Sequence, residues 1–534
     1  MKLHRTVTFW LGIAAVTTGV ALHLPMYYRA RAMGYHMAGM PLDRSMVIGM
    51  VSVVVGLAMT VFGLLPGVRQ TDRKEMAQLE VRALDDRPLG RSHFALIIAM
   101  AAAVSIDIMK PTTLAFIMPG VATEYGLKST LNPNGRVPVA LLPLCALTGV
   151  VMGSAIWGWL GDRIGRRASI LLAAIMFIGT SICGAMPSFS ANLLMCFLMG
   201  IAVGGMLPIA FTLLAETIPA RHRSWLMVLI GGDVAGAYFI TSFLSAHLQP
   251  HFGWRIMWLL GFPTGVLLIL LNRWIPESPR YLLANGRPVE AQAVMARFGC
   301  RLVPPLNAPL PATAAPRTAY YELFSHPFRG LTLAVATFAL GWGLVNNGFL
   351  LWLPTNLRSA GLDVRTADEL LARGALIGLP AVFVVAALYG FWSSKRSIIL
   401  FSLLTSVALI VFALIGDGIR EHKFLLQMLI IMLLTSTSSS LAMLTPYSAE
   451  TYPTLMRARG TGLAATCARG GGLVSIGLAV TDVAPPSLNV AAILGAVPTA
   501  LAAIVIAYFG VETRGRRLEA ISADGRSPPI RDPS

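Results

Sequence analysis

About fourteen runs of roughly 20 apolar residues punctuate this 534-residue chain, near 7–25, 46–66, 93–119, 138–160, 168–188, 191–214, 224–247, 254–272, 328–353, 370–392, 397–416, 424–446, 460–481 and 488–510. A run of that length spans the hydrocarbon core only as a helix, because lipid offers no partner for an open backbone. The rest of the composition agrees. Only 13% of residues are charged and 55% are hydrophobic, with a mean hydropathy of +0.69, against about 25% charged in soluble domains. This excludes a disordered chain and argues against a soluble enzyme. Unbroken apolar runs and 8% aromatics argue against an outer-membrane barrel. The reading is an all-α, multi-pass membrane protein whose first partner is the lipid bilayer.

The net charge of +17 is topological. With the N-terminus inside and loops assigned alternately, about 29 Lys and Arg fall inside, about 11 outside and two within spans. Both termini are therefore expected in the cytoplasm of an inner-membrane protein, and no nucleic acid is needed to explain the basic charge. The first run follows Lys2 and Arg5 and lacks a clean A-x-A site, so an uncleaved helix is favoured over a signal peptide. Cys145, Cys183, Cys196, Cys300 and Cys467 are scattered and form no C-x-x-C pair, which suggests thiols without a disulfide framework or zinc site. No metal or other cofactor is expected. His23, Met26, Met33, His36, Met37, Met40 and Met46 gather around the first outside loop, but their spacing fits no compact Cu(I) site.

The organisation follows from the loops. Residues 1–70 form a two-helix N-terminal extension and 71–92 a mixed-charge cytoplasmic connector. Two six-helix bundles are expected over 93–272 and 328–511, joined by a cytoplasmic linker over 273–327 and followed by a cytoplasmic tail, 512–534. The linker begins with Ser278-Pro279, suited to cap a short helix, and continues into a proline-rich stretch from Pro304 to Pro316. Residues 215–219 read AETIP and 449–453 read AETYP, and Arg223 follows Glu216 at the distance at which Arg457 follows Glu450. Each copy follows the fourth span of its half, which points to a duplicated six-helix unit with an interior between the halves.

The loop after the second span of the first half reads Gly158-Trp159-Leu160-Gly161-Asp162-Arg163-Ile164-Gly165-Arg166-Arg167. It resembles the G-x-x-x-D-R-x-G-R-R signature of the major facilitator superfamily. Gly200 to Pro208, Glu216 to Pro219, Pro276 to Arg280 and Glu512 to Gly515 resemble further stretches of that superfamily, the last two those of its sugar and organic-acid branches. The resemblance covers roughly 92–520. It implies a twelve-helix fold of two bundles that rock around a central cavity, here with two extra N-terminal helices, and a monomeric secondary transporter. Gly158, Asp162, Arg163, Gly165, Arg166, Arg167, Glu216, Arg223, Glu450 and Arg457 would form its cytoplasmic gating contacts. The corresponding loop of the second half, Gly390 to Arg396, lacks the aspartate, so a weaker clamp is expected there. Cys196 replaces an arginine common in the fourth span, and no Gly-Pro element marks the fifth.

Away from the span ends, four ionisable residues lie within the spans: Asp107, Lys110, Asp233 and Arg469. Such residues are expensive in lipid and persist when they are paired, face water or work. Asp107 and Lys110 are three apart on one helix face, and Pro111 frees the Asp107 carbonyl. Asp107, with Asp233, is the candidate for proton coupling. Lys110 and Arg469 are the candidates for a substrate carboxylate, with Trp342, Asn346, Asn347 and Tyr447 as weaker substrate-binding candidates. The alternatives are static ion pairs and helix-to-helix hydrogen bonds. The function expected is proton-coupled symport of a small organic anion, an aromatic or aliphatic carboxylate, by alternating access. A sugar or drug/metabolite transporter acting in efflux, or a non-transporting sensor, is the alternative. No P-loop is present and no enzyme is expected.

Overall fold

The computed structural model describes residues 2–64, 88–129, 132–300, 323–325, 328–359, 361–415, 423–452, 454–480 and 488–513. Among these the chain is helical, with a single isolated bridge, Ser129 to Asn132, and no strand. Twelve helices are long and apolar enough to cross a membrane, and two shorter apolar helices, Leu141–Ser154 and Ile256–Leu271, fill the remaining places of the fourteen runs. Most of the expected connector, most of the proline-rich linker and all but the first two residues of the tail lie outside the described residues.

The described residues form two compact units. The first comprises Met1–Leu127, Gly135–Arg223 and Leu244–Pro311, the second Lys128–Asn134, Ser224–Phe243 and Ala312–Ser534. In the first unit, Leu141–Ile164 packs along Phe189–Thr217. Gly149 and Gly153 there lie against the carbonyls of Phe197 and Ile201, so their spacing serves close helix packing. In the second unit, Arg329–Leu344 packs on Thr454–Val480 and Leu488–Phe509, and Ser394–Ile415 packs on Lys423–Thr451 and Leu488–Phe509.

The extension is an antiparallel helix pair, Lys2–Ala21 and Arg44–Leu64. A Cβ on Gly12 would sit 2.7 Å from the Gly56 carbonyl oxygen, and one on Gly56 would sit 2.7 Å from that of Gly12. Only glycine allows this backbone approach. The pair rests on Ile175, Ile178 and Ile182 through an apolar cluster that also buries Met26, Met37 and Met46.

Two expected spans differ in detail. The span expected as one helix over 224–247 is interrupted at Gly232–Asp233, between Ala220–Gly231 and Val234–Phe252. Glycine and aspartate are weak helix formers, and here they sit side by side. The span expected over 328–353 passes through a π-helical turn, Val345–Leu350, and continues to Ser359.

Candidate functional site

The signature loop of the first half is built around one carboxylate. Helix Leu141–Ile164 ends on Gly165, at φ +97°, and Arg166–Thr180 starts at the next residue. Glu277 reaches the start of the new helix. Its Oε1 accepts from the N–H of Arg166 at 2.7 Å, of Arg167 at 3.4 Å and of Ser278 at 3.0 Å. A carboxylate at a helix N-terminus meets both unspent N–H groups and the positive end of the helix dipole. A Cβ on Gly165 would overlap Glu277 Oε2 and lie 2.9 Å from the Tyr281 ring, so both backbone angle and space demand glycine. Ser278 caps Pro279–Ala284, its Oγ accepting from Tyr281 N at 3.2 Å, and Tyr281 donates its hydroxyl to Arg163 O at 2.7 Å. The Arg166 guanidinium stacks over the Tyr281 ring at 5.4 Å and lies 3.6 Å from Glu216. Burial outweighs the three N–H groups at Glu277 and pushes its carboxyl above the usual range.

The second unit repeats this plan with different side chains. Glu512 Oε1 accepts from Ser394 N at 2.9 Å and from Ser394 Oγ at 2.6 Å, and its Oε2 takes the Ser393 hydroxyl. It thereby holds the start of Ser394–Ile415 as Glu277 holds the start of Arg166–Thr180. Glu450 Oε2 accepts from Tyr389 OH at 3.0 Å and from Thr513 Oγ1 at 2.8 Å. The aspartate missing from this loop is replaced by hydroxyls on carboxylates. Glu277, Glu512 and Tyr389 are functional candidates that the sequence reading does not name. The two glutamates lay in the resembling stretches Pro276 to Arg280 and Glu512 to Gly515. The side chains of Asp162, Arg223 and Arg457, and anything beyond the backbone at Gly158, lie outside the described residues.

Within the spans, Asp107 is 2% and Lys110 8% exposed, and Asp107 is the charge that acts on the Lys110 ammonium. Lys110 Nζ lies 5.4 Å from the centre of the Phe177 ring, and a Cβ on Gly261 would come within 2.7 Å of it. The lysine therefore points at helices Arg166–Thr180 and Gly261–Leu271 of its own unit. Asp233 sits in the break of the fifth core span, with its Oδ1 close over Gly236. Arg469 lies half-buried in Thr454–Val480.

The weaker candidates are placed separately. Trp342 Nε1 donates to Thr437 O at 3.1 Å, and the ring lines a small cavity with Phe338, Val345, Ser402, Thr405 and Thr437. Asn346 and Asn347 lie in the π-helical turn, where Asn347 Nδ2 donates to Gly343 O at 3.2 Å. Tyr447 is fully buried, donating its hydroxyl to Val511 O at 3.0 Å and accepting from Val511 N at 2.9 Å. That hydroxyl braces the segment after the last helix.

A further cluster has no counterpart among the sequence-derived candidates. Glu124, 2% exposed at the side chain, accepts from Met37 N at 2.7 Å, Ala38 N at 2.9 Å, Trp254 Nε1 at 2.7 Å and Arg255 Nη2 at 2.6 Å. Arg255, fully buried, also donates to Met186 O at 2.7 Å and Tyr125 OH at 2.9 Å. The loop of the extension is thereby fastened to the end of the first core helix, Arg91–Glu124. A glutamate at the edge of an apolar run was the one signal the sequence offered.

Against known proteins, the family model for sugar (and other) transporters matches residues 113–524. A niacin transporter of Acinetobacter baylyi is 25% identical, over 83% of this chain and 99% of its own. A 4-hydroxybenzoate transporter of the same organism is 28% identical, over 72% and 84%. An inner membrane metabolite transport protein of Escherichia coli is 30% identical, over 70% and 83%. Among solved structures, the Escherichia coli xylose transporter in a partially occluded inward-open conformation superposes with a TM-score of 0.62 at 17% identity, over 79% of this chain and 99% of that one. That likeness shows the twelve-helix major facilitator fold.

Proposed function

The chain belongs to the sugar (and other) transporter family, a membrane carrier and not an enzyme, and from that premise we propose that it moves a small aromatic carboxylate together with protons by alternating access. The observation that carries the reading is the repeated helix-start clamp, Glu277 on Arg166 and Glu512 on Ser394. A pair of matched clamps, one per half, suits bundles that must close and reopen as rigid bodies. The substrate class is supported by relatives named for niacin, 4-hydroxybenzoate and gallate. The distribution of basic residues supports an inner-membrane protein with both termini cytoplasmic, working as a monomer.

In this reading Asp107 carries the proton and Lys110 is its counter-charge, set against Phe177 within the first unit. A carboxylate beside an ammonium in a dry helix contact changes the electrostatic balance of its bundle when it is protonated, and that is what couples proton entry to rocking. Asp233 and Arg469 belong to the fifth span of each half and serve proton transfer and anion attraction respectively. A sensor without transport would have no use for two intact clamps.

The test is uptake of labelled 4-hydroxybenzoate and nicotinate into proteoliposomes after an inward proton gradient is imposed. Wild type accumulates substrate, while Asp107→Asn loses accumulation and keeps counterflow exchange. Accumulation at the wild-type level in Asp107→Asn would remove the aspartate from proton coupling. No flux of any carboxylate in wild type would sink the transport reading for this substrate class.

A further inference from the structure

The seventh core span is irregular where its polar groups are buried. Arg329–Leu344 runs into the π-helical turn Val345–Leu350 and resumes as Leu353–Ser359. Short π-helical insertions in α-helices concentrate at functional sites, because they re-aim the side chains that follow. Directly after this one, Trp352 is 0%, Thr355 1% and Asn356 7% exposed. Arg358 is 7% exposed at its side chain, with its Nη2 held by Asp368 Oδ2 at 3.0 Å and Oδ1 at 3.1 Å.

Among the described residues no acceptor reaches Trp352 Nε1, Asn356 Nδ2 or Arg358 Nε, and the Thr355 hydroxyl makes no hydrogen bond. Other span threonines spend their hydroxyl on the carbonyl four residues back, as Thr337, Thr405 and Thr499 do. Thr355 does not. Buried donors are almost always satisfied, since each one left unmet costs free energy. Four in seven residues therefore ask for a partner that the described residues do not supply. Trp352, Thr355 and Asn356 stand at i, i+3 and i+4, which puts them on one helix face, and Arg358 lies one turn beyond Thr355.

The chemistry of the set narrows the partner. An indole N–H, an amide NH2 and a guanidinium N–H only donate, and the hydroxyl can donate as well. A carboxylate only accepts, so it satisfies such a set without leaving a donor of its own unmet. A sugar hydroxyl both donates and accepts, and it would need acceptors that this set lacks. Asp368 already neutralises Arg358, so the attraction comes from N–H dipoles, and ligand release after translocation stays cheap. The Trp352 ring adds an aromatic surface beside the donors.

We infer that Trp352, Thr355, Asn356 and Arg358 form a carboxylate-binding site for an aromatic acid on the seventh core span. This rests on the carboxylate-transport reading above and adds a substrate anchor to it.

The test uses the purified full-length chain, with calorimetric binding of 4-hydroxybenzoate and of its neutral methyl ester, and ligand-free melting, for wild type, Thr355→Val, Asn356→Leu and Trp352→Phe. Asn356→Leu should weaken 4-hydroxybenzoate binding by about tenfold, and the other two severalfold. Binding of the ester, weak in wild type, should change little. Ligand-free melting of Thr355→Val and Asn356→Leu should stay level or rise, because an unmet donor has been replaced by an apolar group of similar shape. Thr355→Val, the closest in shape, keeps the test open should a larger change fail to fold. Wild-type affinity in all three variants would overturn the site while leaving the carboxylate reading intact. A wild type that binds none of the acid would overturn both. Lower ligand-free melting with unchanged affinity would make these groups structural and also overturn the inference.

Discussion

Glu124→Gln tests how the extension is held, and its cost can be worked from the contacts. The substitution keeps the shape and one oxygen for the Met37 and Ala38 N–H groups, but it removes the charge facing Arg255 and turns an NH2 toward one of the four donors around it. Arg255 is fully buried and keeps the carbonyls of Gly184 and Met186, the Tyr125 hydroxyl and the face of the Trp254 ring at 4.5 Å, none of which carries a negative charge. Breaking a buried pair by removing one partner costs about 3–5 kcal/mol, since the other charge remains buried without compensation. At 25 °C that is a loss of roughly two to four powers of ten in the folding constant. Replacing both partners by apolar groups costs far less than the sum of the single changes, because no charge is then stranded. The assay is denaturant unfolding in detergent for Glu124→Gln, Arg255→Leu and Glu124→Leu/Arg255→Leu, with amide exchange read at Met37 and Ala38. Both amides should lose protection in Glu124→Leu/Arg255→Leu, where no oxygen is left to accept from them. Single changes that each cost under about 1 kcal/mol, or a double change equal to the sum of the singles, would refute a buried, coupled pair.

Gly165→Ala should lower stability by about 1–3 kcal/mol, from strain at φ +97° and a Cβ driven against Glu277, and should abolish transport; normal uptake in that variant would remove the clamp from gating. Glu277 has its carboxyl raised by burial, so its contribution to stability is fully present below the ordinary carboxylate value and is lost as pH rises through the raised one. Glu277→Gln should therefore flatten the fall in melting temperature on going from acid toward neutral pH, and an unchanged slope would contradict this. Gly56→Ile should separate the helix pair of the extension by overlap with the Gly12 carbonyl and with Val16, releasing the loop at Met37 to proteolysis; a protease-resistant loop would argue against it.

The membrane fold was legible because the bilayer imposes span length and the charge rule on the sequence itself. All fourteen apolar runs have a helix in the structure. What escaped was local. The break at Gly232–Asp233 lies inside an apolar run whose mean hydropathy is blind to helix propensity. The π-helical turn at Val345–Leu350 leaves no periodic trace over six residues. Candidate residues were chosen by type and depth, and neither fixes direction. Lys110 sits near the middle of its span, as expected, and only the structure shows Phe177 and Gly261 in front of it. Nothing in the sequence singles out the donors at Trp352, Thr355 and Asn356, because neutral polar residues in spans commonly bond to neighbouring helices, and the sequence does not tell which of them go unmet.

The two clamps explain why the repeat is faint in sequence and plain in geometry. In both halves a glutamate from beyond the sixth span accepts backbone N–H at the start of the third span: Glu277 from Arg166 and Arg167, Glu512 from Ser394. The receiving group is the helix end itself, and any residue type supplies an N–H there. Side-chain identity on that side is therefore free to drift, and it has: Arg166 in one half, Ser393 and Ser394 in the other. The second carboxylates diverge in the same way. Glu216 faces the Arg166 guanidinium, while Glu450 takes the hydroxyls of Tyr389 and Thr513. The loop that lacks the aspartate thus keeps the same helix-end anchor, with hydroxyls of Tyr389, Ser393, Ser394 and Thr513 among the donors to its two carboxylates.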